Sequence, residues 1–222
     1  MTRPVICREN SAPSCSIAPQ SLTPFIRELR DQGGLRVADV GAGRLRATRP
    51  LLRAGFQVWI VETPLQLERT KELVEGAQHR YPNLQPPLTE RDFCCSSLKL
   101  DGVTTICVLH TIPEKWIRCR LLRAIRRNMK PGAKLLIDVP FDLPYYRGPG
   151  RTVTKYRDGY LMGGKEVHTF FKEFSESELV TFVKRCGFKL EHNLGVRRHH
   201  AVVFTVPRDG SRVQGGGPSR RL

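Results

Sequence analysis

Residues 35–43 constrain the fold more than any other stretch, because an apolar run there ends in an acid and two closely spaced glycines. Residues 35–40 favour a central parallel strand that is buried on both faces. Gly41 and Gly43 allow backbone angles that other residues avoid, and they let a ligand approach the main chain. A helix after such a turn directs its free N–H groups at the same space. The stretch therefore predicts an open α/β sheet with a ligand site outside the carboxyl ends of its strands.

A second acid ends the next predicted strand, which covers residues 57–61. This acid, Glu62, follows Gly41 by 21 residues, and neighbouring parallel strands end at the same edge of a sheet. A carboxylate at that position can accept hydrogen bonds from both hydroxyls of a ribose, so Asp39 and Glu62 together predict a nucleoside site. A dinucleotide-binding fold needs a third Gly or Ala where Arg46 stands, which disfavours NAD-dependent oxidoreduction.

Beyond these two strands, helix and strand patterns alternate along a chain of 222 residues with no internal repeat. This length suits one α/β domain, which we expect at residues 21–206. We expect residues 1–20 to be a disordered leader and residues 207–222 a disordered basic tail. Residues 142–169 are polar, aromatic and rich in glycine. Long insertions at the strand-tip end of such sheets usually carry substrate recognition, so we expect a substrate-side insertion there.

The formal net charge is +16, and most of the excess lies between the predicted tails. A basic domain attracts polyanions, nucleic acid above all, although an Arg-rich genome would explain the charge equally well. Seven cysteines and six histidines include no CxxC pair and no metal-ligand spacing. We therefore expect no metal, and reduced thiols in a cytoplasmic location. No run of 18 apolar residues is present, so we expect no membrane span.

The D-x-G-x-G pattern formed by Asp39, Gly41 and Gly43 resembles the first motif of class I S-adenosylmethionine-dependent methyltransferases. Further motifs follow in family order and at family spacing, namely Glu62, Arg91-Asp92-Phe93, Val108-Leu109-His110, Lys130-Pro131-Gly132 and residues 174–179. The resemblance extends over residues 21–206. It implies a methyltransferase with one Rossmann-like α/β domain. Its sheet would be mostly parallel and seven-stranded, with an antiparallel last strand and helices on both faces.

The same resemblance implies S-adenosylmethionine as the cofactor. Carried over by position, its binding residues would be Asp39, Gly41, Ala42, Gly43, Glu62, Thr63, Asp92, Phe93 and Leu109. In the family, an acid at the place of Asp92 meets the adenine amino group, and an apolar side chain at the place of Phe93 stacks on the ring. Ile106 departs from the pattern, since many relatives carry Asn or Asp there.

Two histidines are the candidate catalytic residues. The resemblance implies an in-line displacement at a sulfonium that is already activated, so the enzyme chiefly aligns the reactants. A neutral amine or hydroxyl acceptor must also lose a proton, which His110 or His168 would take near neutral pH.

The acceptor stays open at this point. Residues 174–188 resemble enzymes that methylate small metabolites, which favours a small-molecule acceptor. The arginine-rich face of residues 114–129 favours RNA instead, and wobble-uridine tRNA methyltransferases share this layout. The missing polar residue at Ile106 suggests a third interpretation, a scaffold that binds the cofactor with weak or no catalysis.

Overall fold

Two β-sheets and seven α-helices form the computed structural model, which describes residues 5–8, 17–141, 153–163 and 167–208. The strands are β1 (Val5–Ile6), β2 (Arg36–Val40), β3 (Gln57–Glu62), β4 (Leu88–Thr89), β5 (Leu100–Ile106), β6 (Met129–Pro140), β7 (Val153–Tyr156), β8 (Gly159–Gly163), β9 (Val167–Phe171), β10 (Lys189–Asn193) and β11 (His199–Thr205). The helices are α1 (Leu22–Asp31), α2 (Thr48–Arg53), α3 (Pro64–Arg69), α4 (Lys71–Arg80), α5 (Glu90–Cys95), α6 (Lys115–Asn128) and α7 (Glu176–Arg185).

The larger sheet has seven strands in the order β10-β11-β6-β5-β2-β3-β4. In this sheet β11 runs antiparallel to its neighbours β6 and β10, and the other described pairs are parallel. One face packs on α1, α2 and α4, and the other face packs on α5, α6 and α7. The predicted fold class, a mostly parallel seven-stranded sheet with an antiparallel last strand and helices on both faces, is confirmed.

Alternating side chains of the central strands build both halves of the core. In β3, Val58 and Ile60 belong to the cluster with α1 and α2, whereas Trp59 and Val61 belong to the cluster with α6 and α7. Successive side chains of a strand point to opposite faces, so a strand covered by helices on both sides must be apolar throughout. This is why the uninterrupted apolar runs in the sequence correctly marked the central strands.

A second sheet of four strands, in the order β1-β9-β8-β7, was not predicted. Its antiparallel strands lie within residues 153–163 and 167–171, of which 153–163 and 167–169 were expected as part of an insertion. Val5 and Ile6, which were expected in a disordered leader, pair in parallel with Val167 and His168. Parts of the expected leader, insertion and tail lie outside the described residues. These parts are 1–4 and 9–16 of the leader, 142–152 and 164–166 of the insertion, and 209–222 of the tail.

The smaller sheet packs at the edge where the parallel strands of the larger sheet end. The Lys172 N–H, just after β9, donates a hydrogen bond of 2.8 Å to the carbonyl of His110. His110 lies in a short 3-10 turn, Leu109–Thr111, that follows β5. Among the described residues, no helix has the length and apolar character needed to cross a lipid bilayer.

Candidate active site

A glycine turn at the end of β2 begins the candidate site. Gly41 has φ +78° and Gly43 has φ +51°, both in the left-handed region that favours glycine. A Cβ atom added to Gly41 would lie 2.2 Å from Cγ2 of Val108, in the segment after β5. Gly41 therefore lets the end of β2 approach the chain that leaves β5. The cleft beside this turn is the candidate ligand site.

The cleft lies at the ends of β2, β3 and β5 and has a volume of about 90 Å³. The predicted residues that line it are Asp39, Gly41, Ala42, Gly43, Glu62 and Thr63. Residues that were not predicted as ligand-binding also line it, among them Arg8, Pro19, Arg46, Glu90, Cys107, Val108 and Thr111. The apolar Ile106 is a lining residue as well, next to Cys107 and Val108.

Asp39 is a buried carboxylate whose two oxygens both have hydroxyl donors. Oδ1 accepts a hydrogen bond of 2.8 Å from Thr104 Oγ1, and Oδ2 accepts one of 2.6 Å from Thr48 Oγ1. Burial raises the pKa of Asp39 above its ordinary value, although these hydroxyls oppose the shift. Asp39 thereby joins β2 to α2 and β5, and it forms the floor of the cleft.

Glu62 lies across the glycine turn from Asp39 and receives its hydrogen bonds from main-chain groups. The Gly43 N–H donates to Oε1 at 2.6 Å, and the Thr63 N–H donates to Oε2 at 3.2 Å. Burial raises the pKa of Glu62 to about 7, and the carboxylates of Asp39 and Glu90 add smaller contributions. At neutral pH this carboxyl group therefore exists in both protonation states.

Thr63 and Ala42 contribute mainly backbone to the cleft. The Thr63 hydroxyl accepts a hydrogen bond of 3.2 Å from the Gln66 N–H and so caps α3. The side chain of Ala42 packs in the core cluster that contains α1 and α2.

The structure places Asp92, Phe93 and Leu109 outside the residues that line the cleft, so their contact with adenine stays a prediction. Asp92 serves in the capping box of α5, where its Oδ2 accepts hydrogen bonds from the Thr89 hydroxyl and the Thr89 N–H. Phe93 and Leu109 are fully buried in the core. The helical start of α5 turns Phe93 inward and leaves Glu90 at the cleft.

The two histidines expected to accept a proton also lie outside the cleft lining. His110 is buried and packs edge-on against Phe171, with ring centroids 5.2 Å apart. Burial lowers the pKa of His110 to about 3, so its ring is neutral and a weak base at neutral pH. His168 lies in β9 of the smaller sheet, paired with Ile6 of β1.

A third imidazole, that of His199, was not predicted. His199 begins β11, and its Nδ1 lies 2.5 Å from Oδ1 of Asp138 in β6. Asp138 also accepts a hydrogen bond of 2.5 Å from the hydroxyl of Ser21. Asp138 pairs in register with Ile106, a residue of the cleft. The sequence separation of 61 residues between His199 and Asp138 left no local signal for this pair.

The N-terminal segment, which here means the described residues 5–8 and 17–20, covers one side of the cleft. This position was also not predicted. The guanidinium of Arg8 donates two hydrogen bonds to the carboxylate of Glu90, at 3.3 and 3.2 Å. Arg46 donates a hydrogen bond of 2.9 Å from Nε to the carbonyl of Ile17. Arg8 stands in a stretch without hydrophobic periodicity, so nothing in the sequence indicated this position.

The lining residues fit an adenine nucleoside that carries an amino-acid portion. Glu62 can accept hydrogen bonds from vicinal hydroxyls, and Gly43 has no side chain to keep a ligand away from the main chain of the turn. Val40, Ile106 and Val108 supply apolar wall. The cleft therefore has the polar and apolar groups that such a ligand needs.

Comparisons with known proteins agree with this chemistry. The model of the methyltransferase domain family matches residues 16–193. No curated protein sequence matches the chain at a significant level.

Solved structures with the same fold are similar at low sequence identity. An S-adenosylmethionine-dependent methyltransferase from Methanosarcina mazei is 18% identical, with a TM-score of 0.59 over 84% of this chain and 98% of that chain. The 1,6-didemethyltoxoflavin-N1-methyltransferase of Burkholderia thailandensis, solved with S-adenosylhomocysteine, is 18% identical, with a TM-score of 0.59 over 85% and 79%. Magnesium protoporphyrin IX methyltransferase from Synechocystis is 19% identical, with a TM-score of 0.58 over 84% and 82%.

The family model extends over most of the chain, and the fold is the one these enzymes share. The chain therefore belongs to the methyltransferase domain family and is an S-adenosylmethionine-dependent methyltransferase.

Proposed function

We propose that this enzyme methylates a small molecule, and that Glu62 and the turn at residues 41–43 hold the nucleoside part of the cofactor. The proposal rests on one observation: the Glu62 carboxylate and the Gly43 N–H meet at 2.6 Å at the edge where β2 and β3 both end. A carboxylate held by main-chain donors can exchange them for ligand hydroxyls without leaving a buried charge unpaired.

The cofactor, when bound, supplies a methyl group already activated on a sulfonium. The chain then has to align the acceptor and exclude water. Ile106 and Val108 provide apolar wall for this purpose, and the ion pair of Arg8 with Glu90 closes one side.

A neutral acceptor must also release a proton, and we propose His199 as the group that takes it. Asp138 accepts from Nδ1 of His199, which leaves Nε2 of the partly exposed ring available as a base. Neither residue of the pair lines the cleft, but the pair lies at the end of β6, beside the strand that contributes Ile106 to it.

Two features support a small acceptor. The Burkholderia and Synechocystis enzymes are named for small heterocyclic substrates. Arg8 and Pro19 also narrow the cleft from the N-terminal side.

RNA is the second candidate acceptor, favoured by α6. This helix contains six basic residues and no acidic residue within its fourteen positions, and all of the basic residues except Arg118 are exposed. A phosphate backbone binds such a face mainly by releasing counterions.

Labelled S-adenosylmethionine incubated with fractionated extract tests the acceptor. We expect label in the small-molecule fraction; label in RNA would replace the first candidate by the second, and binding without transfer would favour the scaffold interpretation.

His199→Gln should lower the transfer rate roughly tenfold or more and leave affinity for S-adenosylhomocysteine unchanged.

Calorimetry with S-adenosylhomocysteine tests the cofactor site directly. Glu62→Ala should weaken binding about tenfold or more, since it removes acceptors for two hydroxyls. Glu68→Gln, an exposed change on α3, is the matched control and should bind as the wild type does. Equal affinity of the Glu62→Ala variant and the wild type would contradict the assignment.

A further inference from the structure

A second cavity, of about 260 Å³, lies between the first turn of α6, one side of α7 and the turn that joins β7 to β8. None of the described residues lines both this cavity and the cofactor cleft. Its charged lining residues are Lys115, Arg118, Asp158, Lys172, Glu178 and Arg185.

The two innermost charges of this cavity are cations. Arg118 is 1% exposed and Lys172 is 5% exposed. Both contact the same carboxylate, since Arg118 Nη2 is bonded to Asp158 Oδ2 and Lys172 Nζ lies 3.7 Å from that oxygen. Lys172 also pairs with Glu178 at 2.8 Å. The acids lie at the rim, with side chains 37% and 48% exposed, so water screens them more than it screens the cations.

Arg118 keeps hydrogen-bonding capacity that the protein does not use. Its Nε and Nη1 are buried and have no hydrogen-bond partner among the described residues. The faces of its guanidinium are covered by Phe174 and Phe182, whose ring centroids lie 5.5 and 5.9 Å from Cζ. Further bonds can therefore form only in the guanidinium plane. Buried donors are almost always paired, so an acceptor at this place would be strongly favoured.

The rim supplies more donors of the same kind. Lys115 and Arg185 are exposed and have no carboxylate partner among the described residues, and Ser177 and Thr181 offer hydroxyls. The lining then holds four cations against two carboxylates, an excess that suits a group with two negative charges. A phosphate ester carries about that charge at neutral pH and has three acceptor oxygens.

We propose that this cavity is a binding site for a phosphate group, separate from the cofactor cleft and independent of the acceptor proposed above. The ligand is a phosphorylated small molecule or the terminal phosphate of an RNA. Both sources present the same chemistry to Arg118, Lys172, Lys115 and Arg185.

Titration with inorganic phosphate, at constant ionic strength set by chloride, tests the site by calorimetry and by phosphorus NMR. The test variant is Lys115→Gln with Arg185→Gln, which removes both rim cations and leaves the buried pair intact. The control is Arg120→Gln with Arg123→Gln, which removes the same charge from exposed positions of α6 that do not line the cavity. We expect saturable binding by wild type and control, and roughly tenfold weaker binding by the test variant.

Two results would overturn the proposal: no saturable phosphate binding by the wild type, or an equal loss in test variant and control, which would indicate general charge attraction.

Competition experiments then distinguish a phosphorylated small molecule from the terminal phosphate of an RNA. A sugar phosphate that displaces inorganic phosphate indicates a small ligand. A 5′-phosphorylated oligoribonucleotide that competes better than its unphosphorylated copy indicates an RNA end. Affinity for S-adenosylhomocysteine, measured on the same proteins, reports the cofactor cleft separately.

Discussion

Asp39 and Glu62 end neighbouring parallel strands, but their carboxylates have different surroundings. Both oxygens of Asp39 accept hydrogen bonds from threonine side chains inside the core. The oxygens of Glu62 accept from main-chain N–H groups at the cleft. Asp39 therefore stabilises the base of the cleft. Glu62 is the acid that can exchange its hydrogen-bond donors for those of a ligand.

The pKa of Glu62 makes cofactor affinity depend on pH. Burial raises this pKa to about 7, and only the ionised carboxylate accepts from two hydroxyls. Affinity for S-adenosylhomocysteine should therefore fall as pH is lowered from about 8 to about 6, approaching tenfold per pH unit below the pKa. Calorimetry across this range measures the effect. Glu62→Gln is neutral at every pH and should bind weakly with little pH dependence; a wild type as insensitive to pH as this variant would contradict the prediction.

Gly41 is the residue whose substitution should cost the most stability in the glycine turn. Gly41→Ala forces a side chain into left-handed backbone and against Val108, so we expect a loss of about 2–5 kcal/mol in the free energy of unfolding. Gly55→Ala is the matched control, because Gly55 has φ +90° but no atom within 4 Å of an added Cβ. It should lose only about 1–2 kcal/mol. Urea denaturation measures both, and equal losses would show that contact with Val108 has no cost.

At the scale of elements, the N-terminal segment links the two sheets. Strand β1 extends the smaller sheet at its β9 edge, and Arg8 beyond it pairs with Glu90 at the start of α5. The cleft volume of about 90 Å³ is below the roughly 300 Å³ of most small-molecule sites. We therefore expect the side formed by Arg8 and Glu90 to open when the cofactor enters.

Breaking the ion pair should accelerate cofactor exchange. A partly exposed ion pair contributes at most about 1 kcal/mol, so Arg8→Ala should raise the dissociation rate of S-adenosylhomocysteine up to about fivefold. Stopped-flow displacement measures this rate. Arg27→Ala, an exposed change on α1, should leave it unchanged. An Arg8→Ala variant with the wild-type rate would mean that the segment does not control access.

At the scale of the whole molecule, the net charge of +16 affects any assay with nucleic acid. A protein this basic should bind RNA at low salt whatever its substrate, and binding should fall steeply, by tenfold or more, between about 50 and about 200 mM salt. Filter binding with total tRNA measures the slope. RNA binding that resists salt would instead indicate contacts to bases, and it would strengthen the second candidate acceptor.

The sequence by itself determined the larger sheet and the sheet edge at which we propose that the cofactor binds. Apolar runs such as residues 57–61 mark strands covered on both faces, and the glycines after Asp39 mark a turn that only glycine adopts easily. Both signals are local, because burial on two faces and left-handed backbone restrict residue type position by position.

Only the tertiary structure decided which side chains reach the cleft. The capping box that starts α5 turns Phe93 into the core and leaves Glu90 at the surface of the site. The pairing of β1 with β9 brings Arg8 to Glu90 across 82 residues of sequence. Contacts between distant segments depend on how whole elements pack, and no periodicity within either segment encodes their meeting.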